Sequence, residues 1–318
     1  MRIAGKLEVE DLPRVCPLIS RQTNPEYGAG GRRPARVGAI VIGAGQPVVI
    51  AGPCAVENHE QTLALARAAR QAGAHMLRGG AYKPRTSPHD FQGLGLEGLK
   101  ILREAGDATG LPVVTEVIDV RLVETVARYA DMLQIGSRSM QNYPLLVEVG
   151  RSGKPVLLKR GMAASLCEWL GAAEYIALEN NLNIVLCERG IRSHTAGEYS
   201  RFTLDLNVIP AAQAATFLPI IVDPSHATGI AARVEPASRA AIEAGSDGLL
   251  IEIALPRSLC RPLCDADQAI EPATLERISR FIQQRRPGNS PEANWSEAEL
   301  AEAGMASGRT TPNSWSRK

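Results

Sequence analysis

The stretch that decides the fold lies at residues 48–73, where VVIAGPC (48–54) is followed by HEQTLALARAARQAG (59–73). The first part is continuously apolar, which is typical of a strand that is buried on both faces. The second part has apolar residues at the spacing of an amphipathic helix. Residues 48–73 therefore predict one strand–helix unit of a parallel α/β protein.

The same rhythm continues along the chain. Seven more short apolar segments follow, with helix-like stretches between them, such as PASRAAIEAGSDG (236–248) before the last. These segments are MLRGG (76–80), PVVTEV (112–117), MLQIG (132–136), PVLLKRG (155–161), NIVLCERG (183–190), PIIVDPSH (219–226) and GLLIEI (248–253). Eight units of roughly thirty residues predict a closed (β/α)₈ TIM barrel. An open doubly wound sheet is the structural alternative, but no Gly-x-Gly-x-x-Gly follows the first strand to support dinucleotide binding.

The segments outside the barrel are short. We expect residues 1–36 to form an N-terminal extension, 37–285 the barrel, and 286–318 a disordered tail with a short helix around 296–303. Residues 36–49 (RVGAIVIGAGQPVV) predict a hairpin that turns at Gly43-Ala44-Gly45 and could plug the bottom of the barrel. The extension is too short to fold alone.

Bulk composition excludes several classes of protein. The chain has 318 residues, 35 basic and 34 acidic, and its net charge of +1 suggests neither a nucleic-acid nor a membrane surface. We find no secretory signal and no apolar run long enough to span a membrane. The six cysteines lack a paired framework, which favours free thiols in a reducing compartment. We therefore expect a cytoplasmic protein.

Charged or reactive residues stand at or near the carboxyl ends of the predicted strands. In order along the chain they are Cys54, Arg78, Glu116, Arg138, Lys159, Arg189, His226 and Glu252. One such residue would usually belong to a solvated rim. Eight in succession converge on one barrel mouth, where catalytic residues of this fold lie. Buried there, they must be paired or meet a ligand.

The basic residues around this mouth predict an anionic substrate. They are Arg78, Lys83, Arg85, Arg138, Lys159 and Arg189. Arginine forks match phosphate and carboxylate oxygens, and lysine adds a point charge. The alternative is a set of ion pairs with Glu116, Asp223 and Glu188, but these acids are too few to neutralise all six cations.

A second group could bind metal. It contains Cys54, His226, Glu252 and an aspartate within residues 263–267 (LCDAD). A thiolate, an imidazole and carboxylates suit Mn²⁺, Fe²⁺, Co²⁺ or Zn²⁺ better than Mg²⁺. The spacing alone is weak evidence, and from the residues alone Cys54 is more simply a small core residue. Cys260 and Cys264 form a Cys-x₃-Cys pair without partners, which is also weak evidence for a metal site.

Several motifs together resemble one family. They are AGPCAVE (51–57), RGGAYKPRTSP (78–88), FQGLG (91–95), QIGSRSMQN (134–142), LKRG (158–161), LCERG (186–190) and DPSHA (223–227). From about residue 37 to 282 the chain resembles the type Iβ group of 3-deoxy-D-arabino-heptulosonate-7-phosphate (DAHP) synthases. This resemblance implies a metal-dependent condensation of phosphoenolpyruvate with D-erythrose 4-phosphate, the first step of the shikimate pathway.

The resemblance also implies residue roles. The metal ligands would be Cys54, His226, Glu252 and Asp265, of which Cys54 and His226 count with Lys83 as catalytic. The phosphoenolpyruvate site would contain Arg138, Arg189 and neighbouring Ser137 at the phosphate, with Arg78, Lys83 and Lys159 at the carboxylate. Arg85 and Thr86 would hold the phosphate of the sugar. Lys83 would deliver a proton to the new hydroxyl group, or would serve as a charge clamp only.

Two departures from the family pattern bear on these roles. Ile-Ala-Leu-Pro follows Glu252, where the family commonly has a histidine. The acidic ligand region lies slightly further from Glu252 than usual, and we prefer Asp265 to Asp267 as the ligand.

Rival functions share the barrel. The sister enzyme, 3-deoxy-D-manno-octulosonate 8-phosphate synthase, uses arabinose 5-phosphate, but residues 83–86 (KPRT) favour the shorter sugar phosphate. A variant of specialised metabolism, a Schiff-base aldolase using Lys159 and a non-catalytic binding subunit are further alternatives. We expect a homo-oligomer, a dimer or tetramer. The extension cannot fold into an appended regulatory domain, so we expect no inhibition by Phe or Tyr through one.

Overall fold

A closed barrel of eight parallel strands forms the centre of the molecule in this computed structural model, which describes residues 9–27, 31–85, 87–194, 197–256 and 262–285. Its strands are β3 (Val48–Gly52), β4 (Met76–Arg78), β5 (Val113–Glu116), β6 (Met132–Ile135), β7 (Val156–Lys159), β8 (Ile184–Glu188), β9 (Ile220–Val222) and β10 (Gly248–Glu252). Each strand pairs with its neighbour in sequence, and β10 closes the ring on β3. The predicted barrel is confirmed, and the open sheet is excluded.

Helices surround the strands. They are α1 (Leu12–Val15), α2 (His59–Gln71), α3 (Leu96–Thr109), α4 (Val123–Tyr129), α5 (Tyr143–Arg151), α6 (Leu166–Ala177), α7 (Val208–Ala215), α8 (Pro224–Thr228), α9 (Ala231–Glu243) and α10 (Pro272–Gln284). Helix α2 matches its prediction, and Asn58 caps it by accepting a hydrogen bond from the Gln61 backbone. Helix α9 begins before the predicted start and contains Pro236 in its interior. Within the described residues, no helix is long and apolar enough to cross a membrane.

The bottom of the barrel is closed by a hairpin of β1 (Ala35–Val37) and β2 (Ile40–Ile42). Its buried residues, among them Val37 and Ile42, pack with inward-facing barrel residues such as Val48, Met76 and Val185. The predicted plug is confirmed, but the turn predicted at Gly43–Gly45 is wrong. The chain turns at Gly38-Ala39 instead, where Gly38 has φ +57, and residues 43–45 lead from the hairpin into β3.

The described part of the N-terminal extension lies against the outside of the barrel. Leu12, Cys16 and Ile19 are buried in the main hydrophobic core. Glu174 of α6 accepts a hydrogen bond from the Leu18 backbone at 2.8 Å, and Thr216 donates one to the Ile19 carbonyl at 2.6 Å. The predicted tail at 286–318 and its short helix at 296–303 lie outside the described residues, as do residues 1–8.

Candidate active site

The carboxyl ends of the barrel strands carry the predicted charged residues. Arg78, Glu116, Lys159 and Glu252 are the last residues of β4, β5, β7 and β10. The other four follow closely: Cys54 after β3, Arg138 in a 3₁₀ turn after β6, Arg189 directly after β8, and His226 in α8. Because parallel strands of a barrel end at one face, all eight side chains reach the same mouth.

A cavity of about 210 Å³ opens at this mouth. All six predicted cations line it: Arg78, Lys83, Arg85, Arg138, Lys159 and Arg189. Sequence reasoning missed a seventh cation, Arg201, which lines the same cavity and forms an ion pair of 3.1 Å with Asp265. Thr86, predicted beside Arg85, lies outside the described residues. The concentration of positive charge makes the cavity a site for polyanionic ligands.

Acidic partners neutralise only part of this charge. Arg78 pairs with Glu252 at 2.6 Å, and Lys159 pairs with Asp223 at 2.5 Å. Glu188, predicted as a partner of the mouth cations, instead pairs with Arg160 at 3.1 Å. Among the described residues, ion pairs therefore do not neutralise all six predicted cations of the cavity.

Two arginines of the cavity have no acidic partner within 4.0 Å among the described residues. They are Arg138 and Arg189, and Arg189 stacks on the ring of Phe202 at 4.1 Å from its centroid. The neighbouring Ser137 hydroxyl is buried without a hydrogen-bond partner in the described part of the chain. Burial lowers the pKa of Arg189, although nearby Asp223 opposes this effect. Two guanidinium groups without an acidic partner and a hydroxyl group without a hydrogen-bond partner, all within the described residues, can bind an anion.

Potential metal ligands collect beside the cations. His226, Glu252 and Asp265 form one group of donors, and Cys54, Cys264 and Asp265 form a second; within each, the donor atoms lie within 4.8 Å of one another. Asp265 belongs to both groups, whereas Asp267 is exposed and belongs to neither. The structure thus brings together the four predicted ligands and adds Cys264, for which the sequence offered only the weak Cys-x₃-Cys signal. Cys260 lies outside the described residues.

Hydrogen bonds and ion pairs orient this cluster. His226 Nδ1 lies 2.7 Å from Asp223 Oδ2, and its Nε2 lies 3.4 Å from Glu252 Oε1. Gln268 donates to the other oxygen of Glu252 at 2.6 Å. An imidazole whose second nitrogen faces a carboxylate is the usual arrangement of a metal-binding histidine.

Charges in the cluster shift its protonation toward the form that binds cations. Burial would raise the pKa of Glu252, but His226, Arg78 and Lys83 lower it below its ordinary value. The same balance, with His226 and Arg201 as neighbours, lowers the pKa of Asp265. Burial lowers the pKa of His226 more than Asp223 and Glu252 raise it. Two carboxylates and a neutral imidazole are therefore available at neutral pH.

The two thiols of the cluster share a hydrogen bond between sulfurs 2.9 Å apart. This hydrogen bond and burial raise the pKa of Cys54. The same bond lowers the pKa of Cys264, helped by Lys83 and opposed by burial. Lys83 Nζ lies 3.1 Å from Cys54 Sγ, and Arg85 Nη1 lies 2.8 Å from Cys264 Sγ. Burial would lower the pKa of Lys83, but these thiols raise it above its ordinary value, so Lys83 is charged.

A glycine permits the close approach of two strand ends in the cavity wall. A Cβ atom added to Gly136 would overlap Glu116 Oε1, the far end of a flexible side chain that would have to move away. The absence of a side chain at Gly136 lets Glu116 reach across and accept a hydrogen bond from Gln134 at 3.3 Å. A side chain at position 136 would therefore displace the Glu116 carboxylate from its place in the cavity wall.

The fold and this mouth define a class: a (β/α)₈-barrel enzyme with a polyanion cavity beside a cluster of metal-binding residues. The sequence profile described as the DAHP synthetase I family matches residues 20–287. The chain belongs to the DAHP synthetase I family.

Known proteins agree with this assignment. A phospho-2-dehydro-3-deoxyheptonate aldolase of Thermotoga maritima is 46% identical over 258 residues, which are 79% of this chain and 74% of the relative. The crystal structure of a DAHP synthase from Thermotoga maritima has a TM-score of 0.78 at 42% identity, and the match covers 84% of this chain and 76% of that one. A 2-dehydro-3-deoxyphosphooctonate aldolase of Syntrophotalea carbinolica is more distant, at 33% identity over 78% of this chain and 93% of the relative.

Proposed function

We propose that the protein condenses phosphoenolpyruvate with D-erythrose 4-phosphate and water, giving DAHP and inorganic phosphate at the start of the shikimate pathway. The single observation that carries this proposal is that six predicted cations line one cavity together with His226 and Asp265 of the cysteine–histidine–carboxylate cluster. Membership of the DAHP synthetase I family supports the same reaction. The protein is then a transferase that forms a carbon–carbon bond.

The unpaired cations hold phosphoenolpyruvate. Arg138 and Arg189 bind its phosphate, because each can offer a guanidinium fork that no acid already occupies. The buried Ser137 hydroxyl lies beside them as a further donor. Lys159, Arg78 and Lys83 surround the carboxylate. Arg78 and Lys159 are held in place by Glu252 and Asp223, so the carboxylate meets fixed charges.

The sugar phosphate lies at the outer side of the cavity. Arg85 is about one-fifth exposed and pairs with exposed Asp90 at 3.4 Å, so its guanidinium is close to the opening. We assign the phosphate of erythrose 4-phosphate to Arg85 and Thr86. The aldehyde then points inward, toward Lys83 and the cluster of metal-binding residues.

The donor set fits a borderline divalent ion. Cys54, His226, Glu252 and Asp265 would hold it, and their combination of sulfur, nitrogen and oxygen favours Mn²⁺, Fe²⁺, Co²⁺ or Zn²⁺ over Mg²⁺. The four donors come from separate parts of the chain and meet within two overlapping groups. When bound, the ion supplies Lewis acidity for the aldehyde oxygen.

The chain's own residues orient the reactants and move the proton. The methylene carbon of phosphoenolpyruvate attacks the aldehyde carbon, and positive charge develops on the enol carbon. Water adds to that carbon, and phosphate leaves by carbon–oxygen cleavage. Lys83 is charged, buried and 3.1 Å from Cys54 Sγ, so it can deliver a proton to the new hydroxyl group at the edge of the cluster.

Loss of phosphoenolpyruvate tests the proposal. The metal-loaded protein is mixed with phosphoenolpyruvate and either erythrose 4-phosphate or arabinose 5-phosphate, with and without a chelator. We expect consumption with erythrose 4-phosphate only, which the chelator abolishes and Mn²⁺ or Co²⁺ restores. Consumption with arabinose 5-phosphate alone would move the protein to the sister reaction. No consumption with either sugar would contradict the proposed function.

We also propose a cellular location and an oligomeric state for the protein. Free thiols at Cys16, Cys54, Cys167, Cys187 and Cys264 support a reducing, cytoplasmic location. We further propose a homo-oligomer, a dimer or tetramer, which light scattering of the purified chain would measure directly. A monomeric mass at assay concentrations would contradict it.

A further inference from the structure

The residue before Asp265 reaches the same cluster as the predicted ligands. Cys264 is 2% exposed, and its Sγ lies 2.9 Å from Cys54 Sγ and 3.5 Å from Asp265 Oδ2. Cys54 Sγ in turn lies 3.2 Å from Asp265 Oδ2. The three side chains therefore meet at one point, although 210 residues separate the two cysteines.

The backbone at this point has a conformation that few side chains favour. Asp265 has φ +48, and only one other described non-glycine residue, Asn180, has a positive φ. In an extended segment, neighbouring side chains point to opposite sides. Here Cys264 and Asp265 both contact Cys54. A residue in the left-handed region persists where its surroundings over-determine it. The left-handed backbone of Asp265 thus occurs where two adjacent donors, Cys264 and Asp265, lie in one cluster.

Positive charge flanks both sulfurs. Lys83 Nζ lies 3.1 Å from Cys54 Sγ, and Arg85 Nη1 lies 2.8 Å from Cys264 Sγ. A cysteine binds a metal as its thiolate. Two thiolates beside two carboxylates would place four negative charges in a small volume. The two cations, with Arg201 on Asp265, compensate that charge.

We propose that Cys264 is a second sulfur ligand of the metal site, in addition to Cys54, and that it directs the site toward thiophilic ions. This inference rests on the proposed function, because it concerns the metal of that reaction. Thiolate ligands favour Zn²⁺, Co²⁺ and Fe²⁺ over Mn²⁺ and Mg²⁺. A chain with one sulfur donor would discriminate less strongly between these ions.

X-ray absorption of the full-length wild-type protein loaded with Zn²⁺ counts the sulfurs without any substitution. The sample is reduced with a phosphine, because thiol reductants would themselves bind the metal. We expect two sulfur neighbours at about 2.3 Å from zinc. One sulfur neighbour would overturn the proposal.

Cobalt spectra assign the second sulfur. Thiolate ligands give Co²⁺ a sulfur-to-metal charge-transfer band in the near ultraviolet, measured per bound cobalt. We expect Cys264→Ser and Cys54→Ser each to lose about half of this band. Cys167→Ser, which changes a buried cysteine of α6 outside the cavity lining, should keep all of it. A full band in Cys264→Ser would overturn the assignment, whatever the zinc data show.

Competition between ions tests the selectivity. Cys264→Ser should lower the affinity for Zn²⁺ by about tenfold or more and change the affinity for Mn²⁺ much less. Equal losses for both ions would contradict a role in selectivity.

The sulfur count, the cobalt spectra and the ion affinities are all measured without turnover. Two sulfurs on zinc in a protein that consumes no phosphoenolpyruvate would refute the proposed function alone, and one sulfur in an active enzyme would refute this inference alone.

Discussion

The two ends of the barrel differ in what their buried residues do. At the mouth, Arg78 and Glu252 are charged, nearly inaccessible and dependent on each other for neutralisation. At the floor, Val37 and Ile42 are equally buried, but they are apolar and pack with apolar residues of the barrel interior. Buried ion pairs contribute little net stability, whereas apolar burial contributes much. The floor therefore stabilises a fold whose mouth is arranged for chemistry.

The largest effect of any single change should occur at the mouth. His226→Ala removes a predicted metal ligand that faces Asp223 and Glu252. We expect kcat/KM to fall on the order of 10³-fold, with loss of bound metal and a thermal unfolding midpoint close to that of wild type. His59→Ala is the control, because that imidazole is more than half exposed on α2. Retained metal and activity would exclude His226 from the site.

A substitution in the hairpin at the floor should lower the stability of the protein but not its activity. Ile42→Ala leaves a cavity under the barrel and should lower the free energy of unfolding by about 2–4 kcal/mol, while the folded enzyme keeps its kcat. Denaturant unfolding measures the first quantity, and steady-state kinetics the second. Val41→Ala, on the half-buried side of the same strand, should cost clearly less. A large loss of kcat in Ile42→Ala would show that floor and mouth are not separable.

A substitution at one unpaired cation sharpens the comparison. Arg138→Ala should raise the KM for phosphoenolpyruvate between about 10- and 100-fold, because a hydrogen-bonded charge contributes roughly 1.5–3 kcal/mol. Stability should hardly change, since Arg138 has no acidic partner among the described residues. Arg128→Ala, at an exposed i,i+4 pair on α4, is the matched control and should leave KM unchanged. An unchanged KM in Arg138→Ala would remove it from the phosphate site.

The smallest expected effect concerns Glu174, whose buried carboxyl group lies away from both ends of the barrel. Burial raises the pKa of Glu174, although backbone hydrogen bonds from Leu18 and Ile19 oppose the shift. The folded state therefore holds this proton more tightly than the unfolded chain does. Its stabilising contribution is complete below the ordinary pKa of 4.5 and is lost as the pH rises through the raised value.

Glu174→Gln removes that titration. Between about pH 4 and pH 7, the wild type should lose stability relative to the variant, by less than about 1 kcal/mol. Urea unfolding at the two pH values measures the difference, and catalysis should not change. A difference of the opposite sign would mean that the charged form of Glu174 is the stabilised one.

The sequence predicted the barrel well, because continuous apolar segments and helical periodicity are local signals. Each predicted strand contains an observed one, and the charged strand ends meet as expected. The hairpin shows the limit of such signals. Two turns were available, at residues 38–39 and 43–45, and both contain glycine with positive φ. Composition could not tell which one reverses the chain and which one joins it to β3.

The missed residues of the site lie on long connections. Arg201 and Cys264 carry no periodic signal, and only the path of the folded loop brings them to the mouth. The choice between Asp265 and Asp267 likewise depended on a left-handed backbone that spacing does not reveal. Thr86 and the tail after residue 285 stay predictions, since the described part of the chain does not include them.

The separation along the chain between residues that meet at the mouth has a consequence for the order in which the protein becomes functional during synthesis. The Arg78–Glu252 pair joins residues 174 apart in the chain, and the Cys54–Asp265 contact joins residues 211 apart. A ribosome therefore makes Cys54 long before it makes the other donors of the cluster, His226, Glu252 and Asp265. Until β10 closes the ring, the nascent chain carries Cys54 and the first cations of the mouth without their later partners, and its apolar strands are exposed to aggregation.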